Sequence, residues 1–300
     1  MKPTLLILAA GLGSRYGSLK QIDAFGPSDE SIMEYSIYDA LKAGFGKIVF
    51  VIKKNIRNEF LEYTLKRFAE KLPIEYVYQE LDSLPEGLSC PAERIKPWGA
   101  AHAVWVAKDI IKEPFAIINA DDFYGNDTFR VTANFLISLQ NNDTSYCLAG
   151  YKIKDTLSDY GTVSRGICEE KDNFLTSVVE RTDVQKQNRE IVSQDKDGKF
   201  YPLNKNAYCS MNVWGFTPTI FSFIEQGFIE FFKQNQDQPK AEYVLPLIAN
   251  SLIEQNKASF KILDTESEWF GVTYKADKES AQNKINQLIK KGAYPSNLWK

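Results

Sequence analysis

Apolar residues in the first half of the chain fall into short unbroken runs, separated by longer segments of helical period. Thr4-Leu-Leu-Ile-Leu8 is a continuous run of strand length, the type expected of a parallel strand covered on both faces. Lys47–Ile52, Ile74–Tyr78, Phe115–Asn119 and Thr144–Ile153 also read as strands. Between them the pattern predicts helices from Ser31 to Gly44, over Asn55–Leu72 and Ala100–Ile111, and from about Asp127 to Gln140. Ser31-Ile-Met-Glu34 has the spacing of a capping box, and Gly44 offers a left-handed stop. Strands alternating with helices predict an α/β fold: a mainly parallel, Rossmann-like sheet with helices on both faces.

After residue 150 the runs shorten. Gly161–Cys168, Phe174–Glu180 and Tyr208–Phe216 read as strands, and the hydrophilic stretch Thr182–Lys199 as a surface hairpin. Helices are expected from Thr217-Pro218, over Ala241–Gln255 and over Asp277–Lys291. No repeat or heptad interrupts the chain, so one domain over residues 1–300 is expected, its second half closing on a ligand.

Composition narrows the function. With 36 basic and 39 acidic residues the net charge is −3 and no long basic run exists, which argues against a nucleic-acid partner. A small phosphorylated ligand needs only a few local charges. The four cysteines contain no CxxC and read as reduced thiols of a cytoplasmic protein. His102 is the single histidine, which excludes multi-histidine metal sites and limits any Ser-His-Asp triad to that residue. No apolar run reaches the length of a membrane span, so no membrane partner is expected.

The most informative stretch is Leu8-Ala9-Ala10-Gly11-Leu-Gly13-Ser-Arg15-Tyr-Gly17-Ser-Leu-Lys20-Gln21. A glycine loop leaving a buried parallel strand is where open α/β sheets bind ligands, and its amides can approach an anion. The dinucleotide fingerprint fails, because Tyr16 stands at the third glycine, and no P-loop can be written. Arg15 and Lys20 beside amide donors suit a triphosphate.

This stretch resembles the signature of the sugar-1-phosphate nucleotidyltransferases, the nucleoside-diphosphate-sugar pyrophosphorylases. Further landmarks follow in the family's order. They are Tyr76-Val-Tyr-Gln79, Pro97-Trp-Gly99-Ala-Ala-His-Ala103, Asn119-Ala-Asp121, Tyr160-Gly161-Thr-Val163, Val179-Glu180-Arg181 and the segment Glu242–Pro246. The resemblance implies a nucleotide-binding half over residues 1–150 and an acceptor-binding half over 151–300. It implies that Leu8, Ala9, Ala10, Gly11, Gly13, Arg15, Gln79 and Gly99 contact the nucleotide. Arg15, Lys20 and Asp121 would be catalytic, with Asp121 holding Mg2+. Gly161, Glu180, Arg181 and Asn212 would hold a sugar phosphate.

These roles are chemically reasonable for the residue types. Magnesium needs only one or two carboxylates plus substrate phosphates, and Asp121 lies where a buried strand runs out. Gln79 offers a donor and an acceptor to a base edge, which suits uracil or thymine. Glu180 can accept sugar hydroxyls, and Arg181, where the family usually has lysine, presents a planar fork to a phosphate. His102 reads as a packing residue. One departure stands out: where the family usually has an acid after a tryptophan, this chain reads Trp269-Phe-Gly271. The expected reaction is nucleotidyl transfer from UTP or dTTP to a sugar 1-phosphate. A cytidylyltransferase acting on a phosphoalkanolamine and a non-catalytic regulatory homologue are the alternatives, and self-association as a homo-oligomer stays open.

Overall fold

Leucine and isoleucine alternate sides along the first strand, and the helices are sorted accordingly. β1 (Thr4–Leu8), β2 (Lys47–Ile52), β3 (Ile74–Tyr78) and β4 (Phe115–Asn119) stand parallel in the order β3-β2-β1-β4. The helices of this half are α1 (Ile32–Ala43), α2 (Arg57–Arg67), α3 (Ala100–Trp105) and α4 (Asn126–Ile137). Leu5, Ile7 and Phe50 face α1, α2 and α4, whereas Leu6, Val49 and Val51 face α3. Both faces are therefore covered, as the unbroken apolar runs require. The computed structural model describes residues 1–11, 23–68, 70–158, 161–188, 190–195, 197–272 and 277–300.

The second half extends the same sheet in the other sense. β5 (Asp122–Phe123) leads from β4 toward α4, and β6 (Ser145–Lys152) follows. Then come β7 (Val163–Lys171), β8 (Phe174–Gln187), β9 (Glu190–Gln194), β10 (Phe200–Leu203) and β11 (Tyr208–Phe216). α5 (Ile220–Asn235) and α6 (Leu245–Glu254) precede β12 (Ser259–Asp264) and β13 (Phe270–Gly271), and α7 (Asp277–Lys290) closes the chain. β11 lies antiparallel between β4 and β6, and one 11-stranded sheet runs β10-β9-β8-β12-β6-β11-β4-β1-β2-β3, with β7 beside β8 and β11. The α/β fold stands, but the sheet is mixed, because β7 to β11 are joined by hairpins and long antiparallel ladders.

Two local differences from the sequence expectation place the site. The hydrophilic stretch after Glu180 does fold back, yet β8 runs on through it to Gln187 before β9 returns. Residues 241–244 are not helical. Val244 is extended, and Tyr243 exchanges backbone bonds with the Trp98–Ala101 segment, its N–H donating to Trp98 O at 2.7 Å and its carbonyl accepting from Ala101 N at 3.1 Å. Gly99, at φ 106°, makes that approach feasible, since a Cβ there would lie 2.5 Å from Tyr243 O.

Candidate functional site

The carboxyl ends of β1 and β4 are held in register. Ala120 N–H donates to Leu8 O at 3.1 Å, and Ala9 N–H donates to Val51 O at 2.9 Å. Leu8, Ala9, Ala10 and Gly11 thus leave the sheet beside the Asn119–Asp122 turn. Gly13, Arg15 and Lys20 lie outside the described residues. At the turn, Asn119 Nδ2 donates to Asp122 Oδ2 at 2.9 Å, and Asn212 Nδ2 donates to Asn119 Oδ1 at 2.7 Å. Tyr124 Oη, buried, donates toward Asp122 Oδ2 at 3.2 Å. Asn212 sits at φ 65° where the β11–β6 register shifts between Ser210 and Trp214, so an irregular strand aims an amide across the sheet.

Asp121 and Asp122 are adjacent carboxylates at the strand end. Burial, then the like charge of Asp121, pushes the Asp122 carboxyl well above the usual range, against hydrogen bonds from Asn119 and Tyr124. Asp122 pairs with Gly271 across the β5–β13 ladder. A Cβ added at Gly271 would lie 2.5 Å from Asp122 Oδ1. The aspartate of one strand therefore fills the space that a side chain on the other would need. Among the described residues no group of three potential metal ligands forms, so a cation here would rest on these two carboxylates and on phosphate oxygens.

Gln79 follows β3, with its backbone N–H bonded to Ile52 O at 2.9 Å. Its Nε2 lies 3.0 Å from Gly99 O and 3.2 Å from His102 Nδ1. His102 Nε2 lies 2.6 Å from Ser83 O, so the proton sits on Nε2 and Nδ1 accepts. Burial pushes the imidazole pKa down to about 4, so the ring is neutral. Both amide donors of Gln79 are thereby engaged, which leaves Oε1 as its side-chain acceptor. Sequence reasoning treated His102 as packing; its spacing from Gly99 was the one signal of this link.

A cavity of about 480 Å³ opens from this edge toward β7, β8 and β11. Asn119, Asp122, Glu180 and Asn212 line it, together with Ala100, Glu242 and Trp269. Glu180 keeps an accessible surface; its protein surroundings push its carboxyl pKa up, and the Arg165 guanidinium draws it back. Glu242 enters on the extended 241–244 segment and pairs with Lys96 at 2.7 Å. Arg181 is exposed and is not among the lining residues, nor is Gly161. Arg165, which the sequence reading passed over, is. Its only sequence signal was a cation inside the otherwise small and apolar run Val163-Ser-Arg-Gly-Ile-Cys168.

A profile of the Nucleotidyl transferase family matches residues 4–274. The chain belongs to that family. No curated protein matches this nucleotidyltransferase in a sequence search. Solved structures show the same fold at low identity. A protein assigned as a glucose-1-phosphate thymidylyltransferase from Bacillus anthracis, complexed with sucrose, superposes with a TM-score of 0.63 at 13% identity, over 94% of each chain. The inositol-1-phosphate CTP transferase from T. maritima gives 0.61 at 11%, over 95% of this chain and 97% of that one. A UDP-glucose pyrophosphorylase complexed with UDP-glucose gives 0.58 at 16%, over 96% and 99%. Family membership also fits a cavity that opens where the parallel strands end. Among the described residues no helix is long and apolar enough to cross a membrane.

Proposed function

We propose that this nucleotidyltransferase moves a nucleoside monophosphate from a triphosphate, UTP or dTTP preferred, onto a sugar 1-phosphate. The observation that carries the reading is one cavity lined by Asn119 and Asp122 of the strand-end turn and by Glu180 and Asn212, with Ala100 of its lining next to the Gly99 whose carbonyl Gln79 bonds. Gln79 Oε1, its amide nitrogen already engaged, accepts the imide N–H of uracil or thymine. Arg15, Lys20 and the amides of Gly11 and Gly13 hold the triphosphate. Glu180 and Asn212 take sugar hydroxyls, whereas Gly161 and Arg181 lie outside the cavity lining and have no contact to the sugar. The acceptor phosphate oxygen attacks the α-phosphorus, the bond to the β-phosphate bridging oxygen breaks, and pyrophosphate leaves with that electron pair. The acceptor is already ionised at neutral pH, so no general base is needed, and catalysis is positioning plus charge stabilisation.

The residues present fit magnesium. Asp121 and Asp122 would hold it, and two close carboxylates whose mutual repulsion raises a pKa are a donor set that a divalent cation relieves. When bound, the ion neutralises charge developing on the phosphates. Among the described lining residues Trp269 is the one aromatic ring, which disfavours the cage that a choline-type acceptor would use. We place the reaction in the cytoplasm, consistent with free cysteines at positions 90, 147, 168 and 209. Residues 1–150 would serve the nucleotide and 151–300 the acceptor. The test incubates the protein with each triphosphate and a panel of sugar 1-phosphates and measures pyrophosphate. Release with UTP or dTTP and a sugar 1-phosphate is expected. Release only with a phosphoalkanolamine, or none with any pair, would sink the reading.

A further inference from the structure

We propose that Arg165, rather than Arg181, grips the phosphate of the acceptor, so the cavity selects a phosphate ester whose hydroxyls face Glu180. This assignment rests on the acceptor reading above and deepens it.

The register explains how the two arginines part. Arg165 on β7 and Arg181 on β8 are direct partners in an antiparallel ladder, where two cations on one side repel. They resolve the conflict by diverging. Arg181 goes to solvent, where its charge is felt by Tyr201. Arg165 turns inward, half-buried, with its guanidinium 4.9 Å from the centroid of the Trp269 ring. Its Nε donates to Thr156 O at 3.0 Å, its Nη1 to Ser164 O at 2.8 Å, and its Nη2 also to Thr156 O.

Those partners are neutral carbonyls. A guanidinium has five N–H bonds, so one on each terminal nitrogen remains beyond these contacts. Asp122 and Glu180 act on the cation across space, and among the described residues neither pairs with it directly. A positive charge fixed by backbone acceptors at a cavity wall, beside the Trp269 ring, is preorganised to meet an anion with its remaining N–H bonds. A Cβ at the neighbouring Gly166 would stand 3.2 Å from Val178 Cγ2, tighter than ordinary contact, so the wall beside Arg165 is closely fitted there. Arg165 and Asp122 line the same cavity, which places an anion held at Arg165 on the side where nucleotidyl transfer occurs.

The experiment measures binding by calorimetry on the full chain, with glucose 1-phosphate and inositol 1-phosphate as probes and glucose as the uncharged control. Arg165→Gln should weaken binding of the esters by on the order of 30-fold, the scale of lost hydrogen bonds between charged groups. Arg165→Lys should recover part of that loss. Arg181→Gln should bind within about twofold of wild type, as an ordinary surface change does. UTP and glucose binding and the thermal midpoint should stay put in Arg165→Lys. Wild-type ester binding by Arg165→Gln, a loss confined to Arg181→Gln, or no ester bound by the wild type would overturn the assignment. The functional reading fails separately: Arg165-dependent ester binding without pyrophosphate release would sink transfer and keep the site. Pyrophosphate release by Arg165→Gln at the wild-type acceptor KM would sink the site and keep transfer.

Discussion

The His102 ring has both nitrogens engaged, and burial holds its pKa down to about 4. Its Nδ1 fixes the orientation of the Gln79 amide. Replacing His102 by phenylalanine removes the acceptor that fixes the Gln79 amide. His102→Phe should raise the KM for UTP by about tenfold, the worth of one or two buried hydrogen bonds, and narrow the gap between pyrimidine and purine triphosphates. The acceptor KM should not move; competitive assays with mixed triphosphates check both. The pH dependence has a definite sign. The folded pKa lies below the ordinary 6.5, so His102 contributes stability that is present above 6.5 and lost as pH falls toward about 4. Asp122 supplies a second residue-scale test. Asp122→Asn should raise the half-saturating magnesium concentration on the order of tenfold or more. Gly271→Asp alone should fail to improve it, because the new side chain meets Asp122 Oδ1 and the Trp269 ring. The paired change Asp122→Gly with Gly271→Asp should restore part of it, as read by manganese binding in spin resonance as well as by turnover.

Elements differ in how plainly they were written in the chain. β1, β2 and β4 are near-continuous apolar runs because both faces are covered, and so they could be read directly; the edge strand β3 was legible despite Glu75. β12 was missed: Ser259, Lys261 and Asp264 interrupt its buried positions Phe260 and Ile262, leaving too little pattern in six residues. β5 and β13 have two residues each and exist only because distant segments meet, which no local pattern records. The same holds for residues 241–244, whose extended form depends on Gly99. Gly99→Ala should push that segment away and cost about 1–3 kcal/mol, measured by denaturant unfolding, because a non-glycine at that φ is strained and its Cβ collides with backbone. Asp39 ties α1 to the segment that follows α7. On α1, it accepts from Tyr294 Oη at 2.6 Å, and burial raises its carboxyl pKa to about 7. A raised carboxyl favours the protonated fold, so its contribution is whole below the ordinary 3.8 and is lost as pH rises through about 7. Asp39→Asn, which still accepts from Tyr294, should therefore gain Tm over wild type by about a few degrees near pH 8 and not near pH 4.

At the scale of the whole molecule, the two halves share one sheet, with β11 hydrogen-bonded to both β4 and β6. Apolar clusters on each side likewise draw from both halves: Leu6 with Trp214, and Ile7 with Val213. Unfolding followed by far- and near-ultraviolet dichroism should give coincident transitions, as a single cooperative unit does. Separate midpoints would mean that residues 1–150 and 151–300 fold as distinct units. The overall class was legible from alternation of runs, and the place where β1 ends beside the Asn119–Asp122 turn from the glycine that follows it. The cavity wall at Arg165 was not, because Arg165 gains its place only when β7 pairs with β8 and Trp269 arrives from the far end of the chain.

The contact between Asp122 and Gly271 also constrains how such a chain can change over generations. One carboxylate fits between β5 and β13, and it can hang from either strand but not from both. Moving it across requires two substitutions, and each taken singly leaves the turn either crowded or short of an acid. The two positions are thus inherited as a pair. Among descendants and cousins of this chain, an acid at the glycine position should coincide with a small or neutral residue at the Asp122 position. Intermediates carrying both should be rare.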